Sequence, residues 1–288
     1  MVADQVRHLD DDLRGLDALE IPQREAASRW TRALAVLWPK LAAIGIVVLG
    51  WQLVFWWGIY DPWVIPSPAA VFSELASLVG TSVFWRAMGI TMQRAVIGFG
   101  LAIGLGTIVG LAVSQSSILR RAIGSLITGL QSMPSIVWFP FAILLFGLSE
   151  VAIVFVMVIG AAPAVANGLI SGVDHIPPIL LRAGRLLGAR GPAAWRHVVL
   201  PAALPGYVAG IKQGWAFAWR SLMAGELLVI IASRPSIGTR LQFARELSDA
   251  EMLIGTMLVV LVIGIVVDGA VFGTLEHRIR RNRGLLDG

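Results

Sequence analysis

Apolar residues in this chain gather into runs of about 20, long enough to span a hydrocarbon core, with short clusters of charge between them. The pattern predicts six membrane-crossing helices, over 41–59, 95–113, 122–148, 151–170, 207–231 and 252–272. The third is interrupted by Pro134 and Pro140. Between the first two spans, 59–75 holds three prolines flanked by aromatic residues. It reads either as a simple connector or as a rigid entry into a short surface helix starting near Ser67, with Trp63 at the headgroup level. Ahead of the first span, Val6, Leu9, Leu13, Leu16 and Leu19 recur at helical spacing among charges. Residues 1–33 are therefore expected to be a cytoplasmic tail with a short amphipathic helix, or an irregular tail, and 34–288 a transmembrane domain.

Composition supports lipid as the main solvent. The chain of 288 residues is 57% hydrophobic and only 14% charged, whereas a soluble domain carries about a quarter charged residues. With no cysteine there is no disulfide, thiolate metal site or cysteine nucleophile. His8, His175, His197 and His277 lack ligand spacing, so no metal site is expected. The net charge of +5 belongs to the membrane rim rather than to nucleic acid, because most Lys and Arg fall in alternate loops. That bias predicts both termini in the cytoplasm. The charged first 33 residues show no cleavable signal pattern.

The loop 174–210 is long for a connector inside a bundle. Pro177 and Pro178 suit a helix start, Gly188 and Gly191 a helix end, and Pro192 and Pro201 argue against one continuous helix. Two short helices joined by a glycine turn are expected outside the bilayer. Leu180, Leu181, Leu186 and Leu187 offer apolar anchors, with Arg182, Arg185 and Arg190 as a basic rim. This pattern alone fits docking into a partner's groove or lying on the membrane.

Arg182, Ala183 and Gly184, then Gly188 and Ala189, then Val198, Leu200 and Pro201 give that loop its identity. Their spacing resembles the EAA loop of permeases in the binding-protein-dependent family of ABC importers. The family pattern is Glu-Ala-Ala, three residues, Gly, nine residues, Ile, one residue, Leu-Pro. Arg182 stands where the family has glutamate and Gly184 where it has the second alanine. PSP (66–68), QRAVIGF (93–99), SMPSIVWFPFAILLFGLSE (132–150) and WRSLMAGELL (219–228) look like the subgroup that imports sulfonates, taurine, nitrate or bicarbonate.

The resemblance implies an all-α, type I importer transmembrane-domain fold in a bacterial cell membrane, with 174–205 as the cytoplasmic coupling loop. It also implies partners: two ABC ATPase subunits, a second permease copy forming a homodimer, and an extracytoplasmic substrate-binding protein. The chain lacks the G-x-x-x-x-G-K-[ST] phosphate loop, and its only lysines are Lys40 and Lys212. It is therefore expected to bind no cofactor and to catalyse nothing itself, with ATP and Mg used by the partner ATPase.

Ionisable residues within spans are costly and point to function. Arg220 is a candidate for meeting an anion through its planar fork, with a structural pair as the alternative. Glu226 follows six residues later, on a different face, and reads as a structural or gating residue at a subunit interface. Met133, Pro134 and Trp138 could form a gate in the translocation path or a static kink. Gln93 and Arg94 read as snorkelling or packing residues near a helix end, and Gly98, Ala102, Gly106 and Gly110 as a packing stripe. A self-sufficient secondary transporter, a channel or a membrane scaffold are the rival classes, and a different small organic solute is the rival cargo.

Overall fold

A computed structural model describes residues 29–282. The tail segment around Val6, Leu9, Leu13, Leu16 and Leu19 lies outside the described residues, as does 283–288. The described chain divides into two compact units, one within 1–59 and one from Tyr60 onward.

The first unit contributes α1 (Arg29–Trp56), whose window Leu37–Trp56 is long and apolar enough to cross a bilayer. It starts well before the expected position and carries Pro39 in its interior. Leu41, Ile44, Ile46 and Val47 are exposed along it, which suits a hydrocarbon environment.

The second unit begins with α2 (Pro68–Val79). The Ser67 hydroxyl accepts a hydrogen bond from the Ala70 amide at 3.2 Å and Pro68 opens the first turn, so of the two readings of 59–75 the one with a short helix starting near Ser67 is found. Next comes α3 (Ser82–Gln115), capped by Thr81, whose hydroxyl accepts from Phe84 N. It runs 34 residues and starts 13 positions before the predicted span at 95. Gln93 and Arg94 therefore lie inside the helix, because an arginine with buried partners does not end one.

The predicted third span is a bent pair. Helix α4 (Ser117–Ser132) gives way at Met133-Pro134 to a 3₁₀ turn (Ser135–Trp138) and then α5 (Phe139–Phe146), with a bend of 102°. Pro134 has no amide to continue the ladder, and Pro140 sits in the first turn of α5, where none is needed. Helix α6 (Glu150–Asp174) follows, then the short α7 (Pro178–Leu186). Helix α8 (Leu200–Leu228), the short α9 (Ile237–Glu246) and α10 (Ala250–Val267) come next. A π-turn (Asp268–Gly273) carries α10 into α11 (Thr274–Asn282).

Among the described residues, four helices pass as membrane spans by length and composition, and the bent pair makes a fifth. The remaining expected span, 207–231, falls in α8, which at 29 residues is long enough but interrupted by Lys212, Arg220 and Glu226. Protein answers the first of these groups: Lys212 Nζ lies 3.5 Å from Asp268 and 3.6 Å from Glu276.

The core is the sandwich of α3, α6 and α8. The stripe Gly98–Ala102–Gly106–Gly110 faces α6, and a Cβ on Gly106 would lie 2.6 Å from the Ala162 carbonyl oxygen. On the other side of α6 the backbones meet directly. A Cβ on Gly168 would come within 2.3 Å of Gly210 Cα, so only hydrogen fits at this crossing. Toward one end of the sandwich, Trp215 stacks on Trp219 at 5.7 Å while Phe99 meets Trp215 edge-on at 5.3 Å.

Candidate functional site

The residues of the proposed coupling loop form a locked turn. Helix α7 ends with Gly188 N–H donating to Arg185 O (3.1 Å) and Ala189 N–H donating to Gly184 O (2.9 Å). This paired pattern closes a helix through a residue in the left-handed region, and Gly188 has φ +85°. Gly184 is buried against Val198, where a Cβ would fall 2.8 Å from Val198 Cγ2. The glycine that replaces the family's second alanine thus brings two motif positions, fourteen residues apart, into direct contact.

Beneath the turn, Ile176, Val199 and Ala203 form a small apolar core with Leu181 and Trp195 packed against it. Arg120 Nη1 pairs with Asp174 at 2.5 Å, tying α4 to the end of α6 beside this loop. The second half of the loop is not a separate helix. Pro192–Ala194 passes through a π-turn (Trp195–Val199) directly into α8. Widening the turn absorbs Pro201, which has no amide to offer and would crowd the carbonyl one turn back. Leu200 and Pro201 therefore open α8.

Outward, the turn offers little to its own chain. Leu186 and Leu187 are 89% and 88% exposed. Arg182, Ala183, Arg185 and Arg190 lie at least partly exposed around them. A cleft of about 290 Å³ lies beside the turn, lined by Leu181, Gly184, Arg185, Ala189, Arg190 and Val198 among others.

The path candidates separate into two neighbourhoods. Met133 and Pro134 are exposed at the 102° corner, and Trp138 is half-buried on an apolar cavity of about 260 Å³ with Leu105, Val109, Leu130 and Pro163. Ser221 Oγ donates to Ser135 Oγ at 2.8 Å, which ties this corner to α8 one residue past Arg220. Arg220 is exposed, its guanidinium 5.3 Å over the Phe217 ring and its Nε donating to Ala216 O. Glu226 is elsewhere and 0% exposed. The two are not ion-paired, as their spacing on one helix requires.

Glu226 belongs to a buried network that the sequence does not announce. Arg94, 3% exposed, donates from Nε and Nη2 to Glu150 (2.7 and 2.6 Å) and from Nη1 to Glu226 (2.8 Å). Glu226 also accepts from Thr91 Oγ1 (2.9 Å) and Gly238 N (2.9 Å), and Thr91 Oγ1 accepts from Ile237 N (3.0 Å). Arg234 reaches Gln93 Oε1 at 2.6 Å and lies 3.6 Å from Glu150. Arg94 is thus no snorkelling residue: two carboxylates answer it inside the protein. The carboxylate of Glu226 finds these partners within its own chain. The available signal was charge balance, since an arginine and two glutamates in apolar surroundings call for one another. Nearby on α9, burial pulls the Arg240 guanidinium below the usual arginine range, and Glu74 acts in the opposite direction.

Residues 102–281 match the family described as "Binding-protein-dependent transport system inner membrane component". The chain belongs to this family. Among similar permeases, a putative ABC transporter permease of Methanocaldococcus jannaschii is 30% identical, over 81% of this chain and 87% of its own. The taurine transport system permease TauC of Escherichia coli is 25% identical, over 83% of this chain and 90% of its own. The nitrate import permease NrtB of Synechococcus elongatus is 28% identical over 48% of this chain and 50% of its own. In structure, the permease fold is shared with an inward-facing form of the MetNI methionine ABC transporter. The TM-score is 0.59 at 18% identity, over 68% of this chain and 96% of that one. An amino acid ABC transporter gives 0.56 at 17% identity, over 71% of this permease and 97% of its own chain. The fold is that of a type I ABC importer transmembrane domain, and the protein is a membrane-embedded permease component.

Proposed function

We propose that this permease forms the translocation path for a small anionic solute of the sulfonate, taurine, nitrate or bicarbonate class. A separate ABC ATPase, using ATP and Mg, drives it through the 182–201 turn. The observation that carries this reading is the turn itself. Leu186 and Leu187 project from a helix end fixed by the Gly188 cap and the Gly184–Val198 contact, so a partner that grips them moves α8 directly. The arginines around the leucines suit an acidic groove rim. Arg182 in place of the family glutamate reverses the charge the partner must meet at that point.

In this reading the turn and both termini face the cytoplasm. Two permease copies pair as a homodimer, two ATPases bind below, and a substrate-binding protein delivers the solute from the other side. Relatives named for taurine, aliphatic sulfonates and nitrate support an anionic cargo, as does an exposed guanidinium at Arg220 beside the tethered corner. The hinge at Met133-Pro134 and Trp138 would flank the same path.

Gly188→Asp tests the coupling. A side chain at φ +85° is strained by about 1–2 kcal/mol, while a Cβ there meets nothing within 4 Å, so the bundle itself is spared. The expected outcome is a chain that inserts normally, with solute uptake into proteoliposomes lost and ATPase activity no longer stimulated by loaded binding protein. Native uptake in that variant would remove the turn from the mechanism.

A further inference from the structure

The buried network around Arg94 does more than neutralise charges, because two of its bonds end on backbone amides of a different element. The amides of Ile237 and Gly238 are the first two of α9 and have no partner within that helix. Thr91 Oγ1 from α3 takes one and Glu226 from α8 takes the other. Ahead of them, Arg234 is held by Gln93 and Glu150. The approach is close: a Cβ on Gly238 would lie 2.3 Å from Glu226 Cβ. The start of α9 is therefore held by side chains from α3, α6 and α8, the helices of the core.

We infer that Thr91, Arg94 and Glu226 are positioning residues for transport. They form a buried joint that makes α9 move as one body with the core helices, so that displacement of α8 is transmitted to Ile237–Glu246. A loop held by solvent-exposed contacts could lag behind the bundle. A helix whose first two amides end on a buried hydroxyl and on a buried carboxylate, the latter neutralised by a buried arginine, cannot turn without exposing an unpaired charge. Such a joint links the two ends of α8: the end that opens beside the Gly188 turn and the end that holds α9.

The inference rests on the permease reading, and its test separates the two. Thr91→Val keeps the shape of the side chain and removes the hydroxyl, while Thr91→Ser keeps the hydroxyl. Each variant is reconstituted with its ATPase and binding protein, and hydrogen exchange is followed across 234–246 with and without trapped ATP. The native protein should hold these amides protected in both states. Thr91→Val should lose that protection while the rest of α6 and α8 keeps theirs. Uptake per ATP hydrolysed should fall about twofold to thirtyfold, the range such coupling networks carry, and Thr91→Ser should restore both. Unchanged protection in Thr91→Val would show that the joint does not hold α9. Lost protection with native uptake would show that transport does not use it. If no ATPase accompanies the native chain, the permease reading fails instead, and with it the transport role, while the exchange data still decide whether the joint exists.

Discussion

Glu226 carries three kinds of bond at once: to a guanidinium, a hydroxyl and a backbone amide, all at 0% exposure. Glu226→Gln leaves a similar shape but removes one of the two carboxylates that balance Arg94 and presents donors where only acceptors fit. Leaving a buried charge wholly unpaired costs about 3–5 kcal/mol, and with Glu150 still on Arg94 the loss here stays below that. The variant should show markedly earlier thermal unfolding in detergent and lower yield in the membrane, readable by size exclusion after heating. A midpoint equal to the native one would mean that the pair contributes no net stability. Such residues were only half legible. That Glu226 and Arg94 are special follows from their apolar surroundings. That they meet does not, since they stand 132 positions apart and Glu150 another 56 from Arg94. Gln93-Arg94 also looked like a helix edge, and only the cap at Thr81 shows that the helix had begun long before.

At the scale of elements, the apolar runs were a sound guide because lipid imposes length and composition on a helix directly. The Gly188 turn was equally readable, since left-handed backbone selects glycine. What the pattern did not yield was the fate of Pro201. A proline argues for a break, yet the π-turn at Trp195–Val199 accommodates it and leaves the loop continuous with α8. Small residues spaced by four were legible as packing, but their partners were not. Gly168 and Gly210 illustrate why: each is ordinary in sequence, and only the crossing gives them a role. Gly168→Leu should drive α6 and α8 apart. Protease resistance of the purified chain and co-elution with its partners should both be lost, whereas Gly104→Leu, where a Cβ meets nothing within 4 Å, should behave as native.

For the whole molecule, the sidedness of the loops is open to a direct check because the chain contains no cysteine. Single cysteines at Leu187 and Leu247, 88% and 76% exposed, should react with a membrane-impermeant maleimide from opposite sides. Leu247 should label in intact cells and Leu187 only in inverted vesicles. Labelling of both from one side would overturn the orientation proposed for the Gly188 turn. The pair Leu186 and Leu187 also bears on how such a protein must be made. Two leucines held out on a rigid tip, with none of the described residues of their own chain covering them, are adhesive in water. If the proposed partner caps the tip, a cell that synthesises this subunit in excess of that partner should accumulate sticky, degradable orphans, and the proportions in which the chains are produced become part of the protein's stability.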